Sequence, residues 1–133
     1  PASRPALLSL CTSNPTSFAQ KGAVAALTGP QDHLPLWLAE FAKRRTYAWQ
    51  KLNSIPGLTC VNAKGAFYLF PNISRTGLKS TEFCAKLLEQ EKVAAVPGIA
   101  FGADDYIRLS YATSLANIEK GLERIERFCR GLL

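Results

Sequence analysis

The chain has 133 residues, 47% hydrophobic and 20% charged, proportions of an ordinary soluble globular protein with enough apolar side chains to bury a core. Its formal net charge of +6 raises the question of nucleic acid, but the positive residues are scattered. The one run of three, Lys43, Arg44 and Arg45, falls on an expected helix without interleaved aromatics, which argues for a solvated face and against a nucleic-acid partner.

No apolar run approaches the length of a bilayer span, so no membrane partner is expected. A single histidine, His33, and cysteines at 11, 60, 84 and 129 show no metal-ligand or Cys-x-x-Cys spacing, which argues against a metal centre or a hydrolase triad. Free buried thiols in a reducing compartment, the cytoplasm, are the expectation.

Residues 1–12 are rich in Pro and Ser, then apolar at Ala6-Leu7-Leu8, and read as a loop or strand end. A helix can start at Asn14-Pro15, with Asn14 as cap and Pro15 in the first turn, where its missing N–H costs nothing. Its body is crowded with Ala19, Gly22, Ala23, Ala25 and Ala26, which suits close packing. Thr28-Gly29-Pro30 is a strong stop and the expected domain boundary, dividing the chain into 1–28 and 29–133. A long helix is expected from about Asp32, with Leu34, Trp37, Leu38, Phe41, Ala48 and Leu52 at helical spacing, closed by Ile55-Pro56-Gly57. That spacing favours core packing of Trp37, Phe41 and Trp49 over a ligand-stacking surface.

Residues 58–61 read as a short strand and 66–70 as its hairpin partner, with Gly65 supplying a backbone angle that a side chain would obstruct. After a loop over 71–79, Ser80 or Thr81 caps a helix with Phe83, Leu87 and Leu88 on one side and Glu82 in its first turn. Residues 93–96 form a short buried strand. Gly98-x-x-Phe101-Gly102 lacks the Lys-Ser/Thr of a P-loop and the glycine order of a dinucleotide fold, so it is read as a turn. Asp104 and Asp105 are read as loop residues, because sequence neighbours diverge and cannot face each other as an acid/base pair.

Residues 106–114 read Tyr-Ile-Arg-Leu-Ser-Tyr-Ala-Thr-Ser. Strand alternation places Ile107, Leu109 and Tyr111 on one face and Tyr106, Arg108 and Ser110 on the other. Ser114 is placed to cap a last helix with the stripe Leu115, Ile118, Leu122, Ile125 and Cys129, and Glu123 to Arg127 is a weakly stabilising spacing. A guanidinium fixed on a strand suits bidentate binding of a carboxylate. The pattern alone favours a sheet-surface arginine, solvated or paired with an acidic neighbour.

Arg-Leu-Ser-Tyr-Ala-Thr-Ser, preceded by Val-Ala-Ala-Val-Pro-Gly with Phe101-Gly102 and by Gly65-Ala66-Phe67-Tyr68, resembles the C-terminal part of a class I aminotransferase. The run from Thr12 to Gln20 is similar to the stretch that follows the cofactor-lysine region in the aspartate aminotransferase-like branch, and Arg44-Arg45 fits that branch. The resemblance implies an α+β fold: the C-terminal small domain of a fold type I enzyme, a short, mostly antiparallel sheet packed with helices, plus one helix of the large domain. It implies a homodimer that uses pyridoxal phosphate to move an amino group between an amino acid, aspartate-like or aromatic, and a 2-oxo acid. Arg108 would bind the substrate α-carboxylate, Ser13 would reach the cofactor phosphate of the neighbouring subunit, and Phe67 would wall the pocket. Ser13 reads equally as a turn or cap residue.

The family's cofactor lysine, the aspartate on the pyridine nitrogen and the glycine-rich phosphate region all precede the matching segment, and no lysine here sits in such a motif. The chain is therefore expected to be about a third of such an enzyme, with no catalytic residue, and to be inactive and free of cofactor by itself. A rival from another class is a non-catalytic α+β module that binds a carboxylate metabolite or a protein partner through Arg108.

Overall fold

The computed structural model describes residues 15–132, and the chain divides into two compact units between Leu36 and Trp37. In the first unit, α1 (Ser17–Thr28) begins later than the Asn14-Pro15 signal predicts. Thr16 is its N-cap in extended backbone, and the Gln20 side chain turns back to donate to the Pro15 carbonyl at 2.7 Å, which leaves Pro15 outside the helix. Gly29 ends α1 as expected, its N–H donating to Ala25 O at 2.9 Å. No residue of α1 is buried, and Phe18 and Leu27 stand open.

Helix α2 (His33–Ser54) enters the core of the second unit through Ala48 and Leu52, with Phe41 and Trp49 packed partly against it. Trp37 and Leu38 are 60% and 69% exposed, so core packing, expected for the whole stripe, begins only at Phe41. Arg44 pairs with Glu40 at 2.9 Å and lies over the Phe41 ring.

The expected hairpin between 58–61 and 66–70 does not form. Trp49 Nε1 and Asn53 Nδ2 both donate to Cys60 O, at 2.9 and 3.0 Å, and Cys60 N–H donates to Asn53 Oδ1 at 2.9 Å. Side chains of α2 thus satisfy the backbone groups a strand partner would need, and the one strand-type pairing of this stretch is the Thr59–Asn72 bridge. The positive φ lies on Ala66 (56°) and not on Gly65; Tyr111 Oη donates to Ala66 O at 2.8 Å and ties that turn down.

Strand β1 (Tyr68–Leu69) instead pairs antiparallel with the later strand β3 (Ile107–Ser110), Tyr68 opposite Ser110 and Leu69 opposite Leu109. Between them lie α3 (Ser80–Glu91) and β2 (Val96–Pro97), which pairs antiparallel with the other edge of β3, Val96 opposite Arg108. The sheet order β1-β3-β2 puts β3 in the middle. Residues 93–95, expected in the strand, stay outside the ladder.

Ser80 is the first residue of α3 and fully buried, not its cap; the cap bond comes from the Asp104 side chain. Phe83, Cys84 and Leu87 face inward while Leu88 is exposed. The last helix, α4 (Leu115–Arg130), is capped by Ser114 Oγ, which accepts from Asn117 N–H at 3.3 Å, and buries Ile118, Leu122, Ile125, Phe128 and Cys129. Arg127 forms its ion pair with Glu91 of α3, while Glu123 acts on it weakly through charge, as its spacing suggests. Phe83 and Phe128 meet edge to face, 5.1 Å between ring centres.

Leu52, Ile73, Phe83, Leu87, Ile107 and Ile125 have almost no exposed surface, each burial worth about 1.5–3 kcal/mol. The result is an α+β arrangement, a small antiparallel sheet packed with helices. Cys60, Cys84 and Cys129 are free thiols, and Cys11 lies outside the described residues. No described helix is long and apolar enough to cross a membrane.

Candidate functional site

The middle strand orients the site. Ile107 and Tyr111 are buried in the core, so alternation turns Arg108, half-buried, to the opposite face of the sheet. The turn that follows β2 is a 3₁₀ segment, Gly98–Phe101, ended by Gly102 at a φ of 76°. It needs glycine at 98: a Cβ there would sit 2.2 Å from Ala103 O and 2.3 Å from Tyr106 O.

Two aromatic rings flank the Arg108 guanidinium. Its Cζ lies 4.3 Å from the centre of the Tyr68 ring and 4.6 Å from that of Phe101. Tyr68 comes from β1 and Phe101 from the turn after β2, so the rings reach Arg108 from the two sides of β3. Phe101 packs edge-on against Phe70, and Phe70 stacks on Tyr106 at 5.1 Å with an interplanar angle of 6°. Ring faces carry negative potential that offsets part of the cation's desolvation.

Among the described residues, no carboxylate pairs with Arg108. The two acids of the preceding loop are occupied elsewhere. Asp104 accepts from the Ser80 hydroxyl at 2.6 Å, and Asp105 pairs with Lys79 at 2.8 Å. That contact also holds the Lys79 ammonium pKa above its ordinary value.

The Gly98–Phe101 turn has no phosphate cradle. The N–H groups of Gly98, Gly102 and Ala103 donate to Tyr106 O, Ile99 O and Gly98 O, and that of Ile99 donates to Ser80 Oγ. The ammonium groups of Lys51, Lys79 and Lys86 are held by Glu126, Asp105 and Glu82. Ser13, expected at a cofactor phosphate, lies outside the described residues.

Tyr68 and Phe101 went unread as site residues in the sequence. The period of two puts Tyr68 and Phe70 on one face and Phe67 and Leu69 on the other. Linking that face to Arg108, however, needs the strand order. Phe67 is partly exposed, its ring tilted against Tyr68 at 4.5 Å. A cavity of about 180 Å³ lies on the other face of the sheet, walled by Leu52, Leu69, Leu109, Ile118, Leu122 and Ile125; Arg108 does not line it.

The family described as aminotransferase class I and II matches residues 5–125. The chain belongs to that family. It is 51% identical over 127 residues to aspartate aminotransferase of Geobacillus stearothermophilus, a match covering 92% of this chain and 32% of that protein. Aspartate aminotransferase of Bacillus subtilis is 50% identical over 127 residues, with the same coverage of each. Among solved structures, aspartate aminotransferase from Rhizobium meliloti superposes with a TM-score of 0.87 at 42% identity, covering 93% of this chain and 34% of that one. Aromatic aminotransferase from Pyrococcus horikoshii gives 0.88 at 38% identity, covering 96% and 35%. The chain spans about a third of the length of these relatives.

Proposed function

We propose that this chain supplies the substrate-carboxylate grip of a pyridoxal-phosphate aminotransferase that moves an amino group between an amino acid, aspartate-like or aromatic, and a 2-oxo acid. The observation that carries this reading is Arg108: a guanidinium on the sheet face away from the core, flanked by two rings, with no described carboxylate on it. The names of its relatives, aspartate and aromatic aminotransferases, support both the reaction and the substrate class.

Arg108 would take both oxygens of the substrate carboxylate in a charge-assisted fork. That contact fixes the α-carbon and so sets the direction of the bond to be broken, converting a loose encounter into an oriented one. In this reading Phe67, partly exposed with its ring tilted against that of Tyr68, would be an apolar wall of the substrate pocket. Pyridoxal phosphate, when bound, supplies the electron sink for the transfer. In this reading residues 1–28 belong to the large domain and 29–133 to the small one, Ser13 contacts the cofactor phosphate of the neighbouring subunit, and the enzyme is a cytoplasmic homodimer.

The test is single-turnover kinetics of the amino-acid half-reaction in the complete enzyme. Arg108→Ala and Arg108→Lys should both lose affinity, Ala by about 2–5 kcal/mol. Wild-type efficiency in either variant overturns the assignment.

A further inference from the structure

We infer that Tyr68 and Phe101 are positioning residues that restrict the Arg108 grip to planar acid groups. The inference rests on the reading of Arg108 as the carboxylate contact and goes beyond it by assigning the selectivity to the two rings.

The argument starts from where donors remain. With rings 4.3 and 4.6 Å from Cζ, approaching from β1 and from the turn after β2, the space beside the guanidinium is taken up by aromatic carbon. The guanidinium N–H groups donate in the plane of the fork, at its rim. Two parallel in-plane bonds match the two coplanar oxygens of a carboxylate. A sulfonate or phosphonate carries a third oxygen out of that plane, where it would press on a ring and lose its own water without gaining a donor.

The rings are themselves held. Phe70 packs edge-on against Phe101 at 5.9 Å and stacks on Tyr106, two residues before Arg108. The Tyr68 backbone is held opposite Ser110 in the ladder, and its ring meets that of Phe67 at 4.5 Å. Phe101 is 49% exposed, so truncating it opens no void in the core.

The experiment measures competitive inhibition of the complete enzyme by 3-phenylpropanoate and by 2-phenylethanesulfonate, two monoanions that differ in the shape of the acid group. Wild type should favour the carboxylate by about tenfold or more. Phe101→Leu and Tyr68→Leu should each cut that preference to about threefold or less, chiefly by strengthening the sulfonate, while Phe101→Tyr keeps the wild-type preference. A wild type without preference, or ring variants that leave the ratio unchanged or weaken both anions equally, overturns the inference. Arg108→Lys separates the two levels. If it weakens carboxylate binding while the ring variants leave the ratio alone, only the role of the rings falls; if it leaves carboxylate binding intact, the assignment of Arg108 falls and the rings' role with it.

Discussion

Asp104 closes the amino end of α3 from 24 positions away, its carboxylate accepting from the Ser80 amide at 3.2 Å and from the Ser80 hydroxyl at 2.6 Å. The same hydroxyl oxygen accepts from Ile99 N–H at 3.2 Å. Three segments therefore meet at one buried serine: the start of a helix, the turn that carries Phe101, and the loop that leads into β3. Removing the carboxylate leaves the Ser80 N–H only the Asp104 backbone carbonyl, at 3.0 Å, and leaves a buried hydroxyl without an acceptor. Asp104→Ala should cost about 2 kcal/mol, read as a lowered midpoint in urea denaturation. Asp104→Asn, which keeps an acceptor, should cost less.

Gly98 is the second point on which this loop depends. The backbone oxygens that a Cβ would strike, Ala103 O and Tyr106 O, belong to the loop itself, so relief has to come from moving the strand entry. Gly98→Ala should destabilise the protein by about 1–3 kcal/mol. It should also weaken carboxylate binding, because Phe101 and Arg108 lie on either side of the shifted segment. Calorimetry and inhibitor titration on the same variant check both effects.

Glu126 and Arg127, neighbours near the end of α4, carry acid-sensitive contacts to α2 and α3. The Arg127 guanidinium holds the Glu91 carboxyl below the usual carboxylate range, and Lys51 with Arg130 does the same to Glu126. A carboxyl with a depressed native pKa stabilises the fold fully above the ordinary carboxylate range, and that contribution is lost as pH falls through the native value. The melting temperature should therefore drop on acidification below about pH 5. Glu91→Gln and Glu126→Gln should melt lower at neutral pH and converge on wild type in acid.

Burial pushes the Cys84 thiol up to about 11 and the Cys129 thiol to about 12. Both should resist alkylation at neutral pH in the native protein and react once it is unfolded, since the thiolate is the nucleophile. Mass spectrometry after iodoacetamide treatment, with and without denaturant, distinguishes the two states. Rapid native labelling of either would contradict the packing described.

What the sequence made legible was periodic or local. Alternation placed Arg108 opposite Ile107 and Tyr111, and a single serine before an apolar stripe marked the cap at Ser114. Where side chains distant in sequence supply the bonds, local signals misled. The hairpin expected at 58–70 failed because Asn53 and Trp49 occupy the backbone of Cys60. Ser80 looked like a cap because nothing near it in sequence points to Asp104. The ring pair around Arg108 was hidden for the same reason: Tyr68 and Phe101 become neighbours of one guanidinium only through the order β1-β3-β2.

That Arg108 recognises substrate by its carboxylate is tested most directly by comparing, in wild type and Arg108→Ala, kcat/KM for an amino acid and for the primary amine that lacks only the acid group. The prediction is a loss of about 30-fold or more for the amino acid, with the amine unchanged. Equal losses on both substrates, or an amino acid turned over as well as by wild type, would contradict it.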